Sequence, residues 1–421
     1  MKGFHDNKKG TGIVFDDIFL ISGARTPFGK YCGSLSRISP TDLGIHSSIA
    51  ALEKAGIKAE ETDQVIAANI GQSSCDAYFL PRHISLYSGI PQSVPALMVQ
   101  RICGSGLETI ITAGEQITLG KAGTILCTGT ENMSLSPTVS FGNRMGYHLG
   151  KPLFHDMLWE ALTDTAAGCP MGYTAENIAK KYKITRKEAD EFACLSFERT
   201  IAAANRGFFN DEISPVIPKV FYAESLEKRE ITLPGGITSV SSDEHVRPSG
   251  IDALSKLPPV FSKVGILTAG NSSGVVDGSA SAVVAHRDTI SAKKLKYLSR
   301  VAAGVSCGTN PKEMGLSPVP AIRLLLEATG LKISDIGLFE INEAFSAQLI
   351  GCERELGIDR AKLNVNGGAI AIGHPLAATG VRLAVTLSRE MKIRKVKYGI
   401  ASICIGGGQG TALLLENMEN T

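Results

Sequence analysis

The chain lacks the features that mark several large classes of protein. No apolar run approaches the about 20 residues needed to cross a bilayer. It has no Walker A motif, no Cys-x-x-Cys pair and no His-Glu-x-x-His, so we expect neither a P-loop nor a metal site. Its 43 basic and 41 acidic side chains leave a formal net charge of only +2. That balance gives no argument for a nucleic-acid or membrane partner, and we expect neither.

Cysteine is present without the pattern of a disulfide framework. The nine cysteines are odd in number and scattered, which favours a reducing cytoplasm. The first 16 residues are polar and resemble neither a secretory signal nor a transit peptide, so we treat them as an extension without a role. The length of 421 residues, with 43% hydrophobic content, allows two or three domains and a large core.

Three glycine-rich segments each carry one chemically active side chain. They hold Cys103 in Arg-Ile-Cys-Gly-Ser-Gly, His374 in Gly-Gly-Ala-Ile-Ala-Ile-Gly-His-Pro, and Cys404 in Cys-Ile-Gly-Gly-Gly-Gln-Gly. A nucleophile, a base and converging backbone N–H groups are the parts that acyl transfer requires. A lone cysteine is more often an inert buried residue. The three segments together favour an active site.

The two halves of the chain repeat the same order of elements. A short apolar strand ending in asparagine occurs at 65–68 and again at 336–341. Each is followed by a Gly-rich turn into a helix, which carries Cys103 in the first half and His374 in the second. The alternation of strands and helices predicts an α/β fold of βαβ units. If the halves pack about a pseudo-two-fold axis, the two helix N-termini meet.

The stretch between the halves differs from both, with Pro/Gly punctuation and mixed charge. Such an insertion supplies binding surface or forms a passive cap. We predict four parts: an N-terminal extension over 1–16, an N-terminal half over 17–135 plus 260–290, an inserted loop domain over 136–259, and a C-terminal half over 291–421.

Seven short blocks in register resemble the thiolase family over nearly the whole chain. They are Ser22-Gly-Ala-Arg-Thr-Pro-Phe-Gly, Cys103-Gly-Ser-Gly, Met171-Gly-Tyr-Thr-Ala-Glu-Asn, Thr268-Ala-Gly-Asn-Ser-Ser-Gly, Asn342-Glu-Ala-Phe, Gly373-His-Pro and Cys404-Ile-Gly-Gly-Gly. The resemblance implies duplicated βαβαβ halves in a five-layer α-β-α-β-α arrangement, with an inserted loop domain that binds CoA. It also implies CoA-dependent acyl transfer, by cleavage of a 3-ketoacyl-CoA or by Claisen condensation.

The resemblance assigns a role to each active side chain. Cys103 is the expected nucleophile and acyl carrier, and the helix N-terminus beside it favours the thiolate. His374 activates the nucleophile and donates to a thioester oxygen, while Cys404 is the second acid/base. One expected oxyanion hole consists of the N–H groups of Cys103 and Gly406. The other consists of His374 and a water held by Asn342.

The same resemblance suggests where the substrate lies. Ser273 is expected against the pantetheine of CoA and Arg247 near its adenine, while Met171, Met314 and Phe345 line the acyl and pantetheine tunnel. Ordinary core packing, or for Arg247 a surface ion pair, is the alternative interpretation. No permanently bound cofactor is expected, since CoA and acyl-CoA are substrates. Family members suggest a homodimer or homotetramer.

Two departures from the family pattern affect the predicted substrate. Many acetoacetyl-CoA thiolases have histidine where this chain has Pro170, which is more like the 3-ketoacyl-CoA thiolases. Ala377 replaces a common glycine, and we interpret it as a neutral, helix-favouring change. We expect acetyl-CoA C-acetyltransferase activity. The alternatives are a broader-chain 3-ketoacyl-CoA thiolase of fatty-acid β-oxidation and an inactive homologue acting as a scaffold.

Overall fold

The computed structural model of the protein describes residues 2–150 and 152–420. Its strands are β1 (Lys2–Asp6), β2 (Gly10–Val14), β3 (Ile18–Arg25), β4 (Gly29–Lys30), β5 (Gln64–Ala68), β6 (Ala96–Met98), β7 (Thr124–Glu131), β8 (Thr138–Val139), β9 (His155–Asp156), β10 (Thr163–Asp164), β11 (Cys169–Pro170), β12 (Lys219–Phe221), β13 (Arg229–Ile231), β14 (Val276–His286), β15 (Ser299–Gly308), β16 (Leu338–Ile341), β17 (Tyr398–Ile405) and β18 (Gln409–Glu416).

Its α-helices are α1 (Pro40–Ala55), α2 (Leu80–Tyr87), α3 (Ser105–Thr118), α4 (Met157–Ala161), α5 (Met171–Lys181), α6 (Arg186–Asn205), α7 (Ile251–Leu254), α8 (Arg287–Lys293), α9 (Pro318–Thr329), α10 (Ser346–Leu356), α11 (Ala369–Ile372) and α12 (Leu376–Arg394). Within the described ranges, no helix is both long and apolar enough to span a membrane. The same ranges hold no group of three or more potential metal-binding side chains.

The strands confirm the internal repeat. The first half has the order β3-β14-β7-β5-β6, the second half has β16-β17-β18-β15, and a short pairing of β15 with β3 joins them. In each half the predicted asparagine-ended strand is parallel to a strand further along the chain, β5 to β7 and β16 to β17. Helices α3 and α12 precede β7 and β17 and so occupy equivalent places in the two halves.

The helices form three layers around the two halves of the sheet. Helices α1 and α2 cover the outer face of the first half, and α9 covers that of the second, with α10 packed beside α9. Helices α3 and α12 lie between the halves and contact strands of both. Separate apolar clusters fill the space on the two sides of each half-sheet. The predicted five-layer α-β-α-β-α arrangement is confirmed.

Glycines allow the two central helices to touch through their backbones. A Cβ added at Gly106 would lie 2.6 Å from the Ala377 carbonyl oxygen, and one at Gly380 would lie 2.2 Å from the Leu107 nitrogen. Neither position has room for a side chain. Because Cys103 and His374 directly precede these helices, this crossing brings the two predicted active residues to the same region.

The terminal extension and the insertion are ordered parts of the fold. Strands β1 and β2 form a hairpin, and β2 continues the sheet by pairing with β15. The insertion is tied to the first half by Arg25, which is buried and bonded to Glu212 and to both oxygens of Asp243. The boundaries proposed for the four parts remain a prediction.

Substitution of Gly380 with alanine tests the helix crossing. Alanine normally stabilises a helix by about 1 kcal/mol relative to glycine. Here we expect the free energy of unfolding, measured with denaturant, to fall by about 1–3 kcal/mol, because the new methyl group overlaps helix α3. The control is Gly250→Ala, where φ is −80° and a Cβ would meet no atom within 4 Å. A Gly380→Ala protein as stable as the control would contradict the close crossing.

Candidate active site

The loop before α3 holds Cys103 in a tight and strained turn. The Ser105 hydroxyl accepts from the Arg101 N–H at 2.7 Å and donates to the Ile102 carbonyl at 2.7 Å, which closes the turn. Ile102 has φ = +44°, a conformation that is strained for a branched side chain. The turn directs Cys103 away from the helix axis and toward the second half of the molecule.

The third predicted segment meets this loop directly. Cys404 lies at the end of β17, and Gly407 and Gly408, with φ of +80° and +76°, turn the chain back into β18. A Cβ at Gly104 would lie 2.3 Å from Ile405, so the two loops touch. The backbone N–H groups of Gly406 and Cys103 lie near enough to the Cys103 sulfur to lower its pKa. The Cys404 loop therefore meets the Cys103 loop at the predicted nucleophile.

Desolvation favours the neutral form of both cysteines, of which Cys103 is partly buried and Cys404 is fully buried. Removal from water raises the pKa of the Cys103 thiol to about 11, although the two N–H groups favour the thiolate. Burial also raises the pKa of Cys404 well above its usual range, and the neighbouring Cys103 adds to this effect. Desolvation therefore opposes, and outweighs, the two N–H groups and the helix N-terminus that we expected to favour the thiolate. Both thiols are neutral at pH 7.

His374 is buried and held on both ring nitrogens. Its Nδ1 lies 2.6 Å from the Thr379 hydroxyl, and its Nε2 lies 3.3 Å from the Asn342 Nδ2. Its backbone N–H donates to the Gly274 carbonyl at 2.9 Å. Burial, together with the positive charge of Arg382, lowers the pKa of His374 to about 3. The imidazole is thus neutral and can accept a proton only transiently.

Asn342 stands where β16 ends, as predicted. Its backbone N–H donates to the Ser402 carbonyl at 3.0 Å, which fixes it beside β17. The side chain is fully buried, and its Oδ1 has no hydrogen-bond partner in the part of the chain that the structure describes. Glu343 next to it accepts bonds from Ser196, Asn364 and the Ile370 N–H. Glu343 is therefore occupied with holding the chain before His374.

An apolar cleft of about 130 Å³ leads to His374. Of the predicted substrate contacts, Met171, Ser273 and Phe345 line it, and Phe345 packs edge-to-face on Phe261 with ring centroids 5.6 Å apart. Most of the other lining side chains are apolar: Met133, Trp159, Leu162, Pro170, Val275 and Leu376. A wider outer cleft of about 550 Å³ shares Trp159, Phe261 and Ser273 with the inner one and opens toward solvent.

Met171 connects the cleft to the cysteine loops. A Cβ added at Gly406 would lie 3.2 Å from the Met171 sulfur. The structure therefore assembles the predicted residues in two groups, Cys103 with Cys404 and Gly406, and His374 with Asn342. The helix crossing and Met171 link the groups.

Two predicted substrate contacts lie elsewhere. Met314 is not among the residues that line either cleft; it is buried in the core of the second half, because its segment packs against helices α5 and α10. Arg247 is exposed and is also absent from the lining of both clefts. Its guanidinium lies 5.3 Å from the Phe197 ring centroid and donates to the His245 carbonyl at 3.2 Å. Only its neighbour His245 reaches the outer cleft.

Sequence reasoning missed three residues of the site. Thr379 contacts the imidazole, and its position in His374-Pro-Leu-Ala-Ala-Thr-Gly was the available signal. Glu131 is fully buried and accepts N–H bonds from Gly71 and Ala377, so it ties the end of β7 to the start of α12. Trp159, the only tryptophan, lines both clefts from the short helix α4, and no sequence pattern pointed to it.

The chain matches the models of the thiolase N-terminal domain over residues 18–288 and the thiolase C-terminal domain over residues 295–417. It is 42% identical to human mitochondrial 3-ketoacyl-CoA thiolase over 402 residues, 95% of this chain and 98% of that protein. It is 41% identical to acetyl-CoA acetyltransferase of Syntrophomonas wolfei over 410 residues, 95% and 99% of the two chains. The crystal structure of human mitochondrial 3-ketoacyl-CoA thiolase in complex with CoA gives a TM-score of 0.89 at 41% identity, covering 96% of this chain and 98% of that chain.

The duplicated α/β fold and the paired cysteine and histidine loops define an acyltransferase that acts on CoA thioesters. The chain belongs to the thiolase family. The relatives include both acetyl-CoA acetyltransferases and 3-ketoacyl-CoA thiolases at similar identity. The comparisons therefore establish the family but not the length of the acyl chain that the substrate carries.

The pH dependence of alkylation tests the charge state of Cys103. Only the thiolate reacts, and with a pKa near 11 its fraction rises about tenfold per pH unit across the neutral range. We expect the alkylation rate of the Cys103 peptide, followed by mass spectrometry, to rise about a hundredfold between about pH 7 and about pH 9. The control is free cysteine, whose rate levels off above its pKa of about 8.5. A Cys103 rate that is already constant below pH 8 would contradict a buried neutral thiol.

Proposed function

We propose that this site cleaves and forms 3-ketoacyl-CoA through an acyl group carried on Cys103. The observation that carries the proposal is the contact between the two cysteine loops. It brings the Gly406 N–H near the Cys103 sulfur and places the buried thiol of Cys404 beside it. Acyl transfer needs this combination of nucleophile, oxyanion donors and acid/base.

The first half-reaction, written for cleavage, uses both cysteines. Cys103 gives its proton to His374 Nε2 as its sulfur bonds to the keto carbon of the substrate. The bond between that carbon and the α-carbon then breaks, and the α-carbon takes the proton of Cys404. Acetyl-CoA leaves, and the shortened acyl group remains on Cys103. The neutral resting state of Cys404 suits this step, because an acid must carry its proton beforehand.

The second half-reaction returns both protons. The Cys404 thiolate takes the proton of CoA as the CoA sulfur bonds to the acyl carbon. The Cys103 sulfur leaves and recovers its proton from His374. Condensation of two acetyl-CoA molecules is the same sequence in reverse, with Cys404 removing the α-proton of the second acetyl-CoA.

Each thioester or keto oxygen needs donors when it becomes negative. The N–H groups of Cys103 and Gly406 already meet at the nucleophile, which supports their role as one oxyanion hole. His374 carries a proton on Nε2 once it has accepted that of Cys103, and then it becomes a donor. The free Oδ1 of Asn342 can accept from a water molecule, whose second hydrogen points to the other oxygen.

Coenzyme A thioesters are the proposed substrates, and no permanently bound cofactor is proposed. A human relative has been crystallised with CoA, and Ser273 lines the cleft that leads to His374. We favour acetyl-CoA C-acetyltransferase activity. The second candidate, a broader-chain 3-ketoacyl-CoA thiolase, is favoured by Pro170 and by the nearly continuous apolar lining of the cleft. An inactive scaffold would need neither the paired thiols nor the buried histidine.

Assembly and compartment also remain proposals. Family resemblance supports a homodimer or homotetramer. The nine cysteines are all free, which supports a reducing compartment such as the cytoplasm. The human relative carries a mitochondrial name.

Replacement of Cys404 by serine separates the two thiols. We expect Cys404→Ser to acylate Cys103 from acetyl-CoA within about tenfold of the wild-type rate, because that step uses His374. Condensation should fall by about 100- to 10,000-fold, since a serine hydroxyl is a poor base. Rapid quench and mass spectrometry measure the first step, and acetoacetyl-CoA formation measures the second. Cys75→Ser, at an exposed cysteine, is the control. Equal loss of both steps would show that this division of roles is wrong.

A comparison of kcat/KM for cleavage of two substrates determines which acyl-chain length the enzyme prefers. Acetoacetyl-CoA and a long-chain 3-ketoacyl-CoA are compared in the presence of CoA. We expect acetoacetyl-CoA to be preferred by at least about tenfold if the apolar cleft holds only pantetheine. Equal or better cleavage of the long chain would mean that the cleft also accepts acyl carbons and would favour the second candidate.

A further inference from the structure

The Thr379 hydroxyl lies directly behind the imidazole of His374. Its Oγ1 is 2.6 Å from His374 Nδ1 and 3.0 Å from the carbonyl oxygen of Pro375, the residue just before α12. The threonine is fully buried and His374 nearly so. Thr379 is not among the residues that line either cleft.

The hydrogen atoms in the row of hydrogen bonds from Asn342 through His374 and Thr379 to Pro375 can be assigned one by one. A threonine hydroxyl has one hydrogen, and a carbonyl can only accept. We place the Thr379 hydrogen on the Pro375 carbonyl, which also accepts the N–H groups of Ala378 and Thr379, because a helical threonine commonly bonds to the carbonyl four residues earlier. Its oxygen is left to accept from His374, so the ring hydrogen lies on Nδ1. The lone pair of Nε2 then faces the Asn342 NH₂ group at 3.3 Å, where it accepts.

The opposite tautomer, with the ring hydrogen on Nε2, leaves a less favourable unpaired group in the interior. Thr379 would then donate to Nδ1, Nε2 would carry the hydrogen, and Asn342 would have to turn its oxygen toward the ring. The fully buried Asn342 would lose its N–H bond to the ring and keep an unpaired NH₂ group instead of an unpaired oxygen. Buried N–H groups without partners are rarer in proteins than oxygens with a spare lone pair.

We propose that Thr379 is a positioning residue that holds His374 in the tautomer with hydrogen on Nδ1, so that Nε2 is free to take the proton of Cys103. This inference rests on the proposed function of the site. The hydroxyl fixes the ring without moving a proton onward, because the row of hydrogen bonds ends at a carbonyl. It also adds no charge, unlike the carboxylate that orients the histidine of a serine-protease triad.

The tautomer of the wild-type protein is the first test. Nitrogen-15 NMR of histidine-labelled enzyme distinguishes a ring nitrogen that carries hydrogen from one that does not, and His374→Asn identifies the signals among the eight histidines. We expect hydrogen on Nδ1 and a bare Nε2. Hydrogen on Nε2 in the resting enzyme would overturn the inference, whatever the behaviour of any variant.

Removal of the hydroxyl is the second test. We expect Thr379→Val to lower the single-turnover rate of Cys103 acylation by about 10- to 100-fold with KM little changed, and Thr379→Ser to restore it to within about threefold. The matched control is Thr386→Val, a buried threonine on the same helix whose hydroxyl bonds to Glu212 instead. An unchanged rate in Thr379→Val, or an equal loss in Thr386→Val, would overturn the positioning role.

Failure of this inference and failure of the proposed function give different results. If acetyl-CoA labels Cys103 in the wild-type protein but the ring hydrogen lies on Nε2, only the inference on Thr379 fails. If acetyl-CoA labels no cysteine at all, the proposed function fails. The tautomer is read from a spectrum and does not require an active enzyme.

Discussion

Helices α3 and α12 cross with direct backbone contact at Gly106 and Gly380, and the relative position of Cys103 and His374 depends on that contact. Cys103 directly precedes one helix and His374 lies just before the other, so the crossing sets how far apart they are. The duplicated fold supplies the symmetry, and the two glycines supply the close approach. A larger residue at Gly106 or Gly380 would push the two helices apart, and it would therefore separate the loops that carry Cys103 and His374 without changing either side chain.

Desolvation is the second constraint, and it makes the site neutral at rest. The thiols of Cys103 and Cys404 have raised pKa values, and the imidazole of His374 has a lowered one. A stable thiolate–imidazolium pair between Cys103 and His374 is therefore too costly in the resting enzyme. Proton transfer must accompany formation of the bond to the substrate, when the oxyanion donors compensate the new charge.

The sequence predicted most of the fold and where the candidate site residues lie on it, because both depend on local patterns. The repeated strand, asparagine and glycine-rich turn identified β5, β16, Cys103 and His374. Properties that depend on tertiary surroundings were not accessible. The pKa of Cys103 was expected to be lowered because a helix follows it, but desolvation raises it instead. The lining of the cleft by Trp159 and the absence of Met314 from it depend on how separate segments pack.

The central claim is that Cys103 carries the acyl group, and wild-type enzyme incubated with acetyl-CoA alone tests it most directly. Acid quenching, digestion and peptide mass spectrometry locate the label. The account predicts one acetyl group per chain, on the Cys103 peptide, removed on addition of CoA. An acetyl group found on Cys404 instead, or no covalent label despite full thiolytic activity, would contradict it.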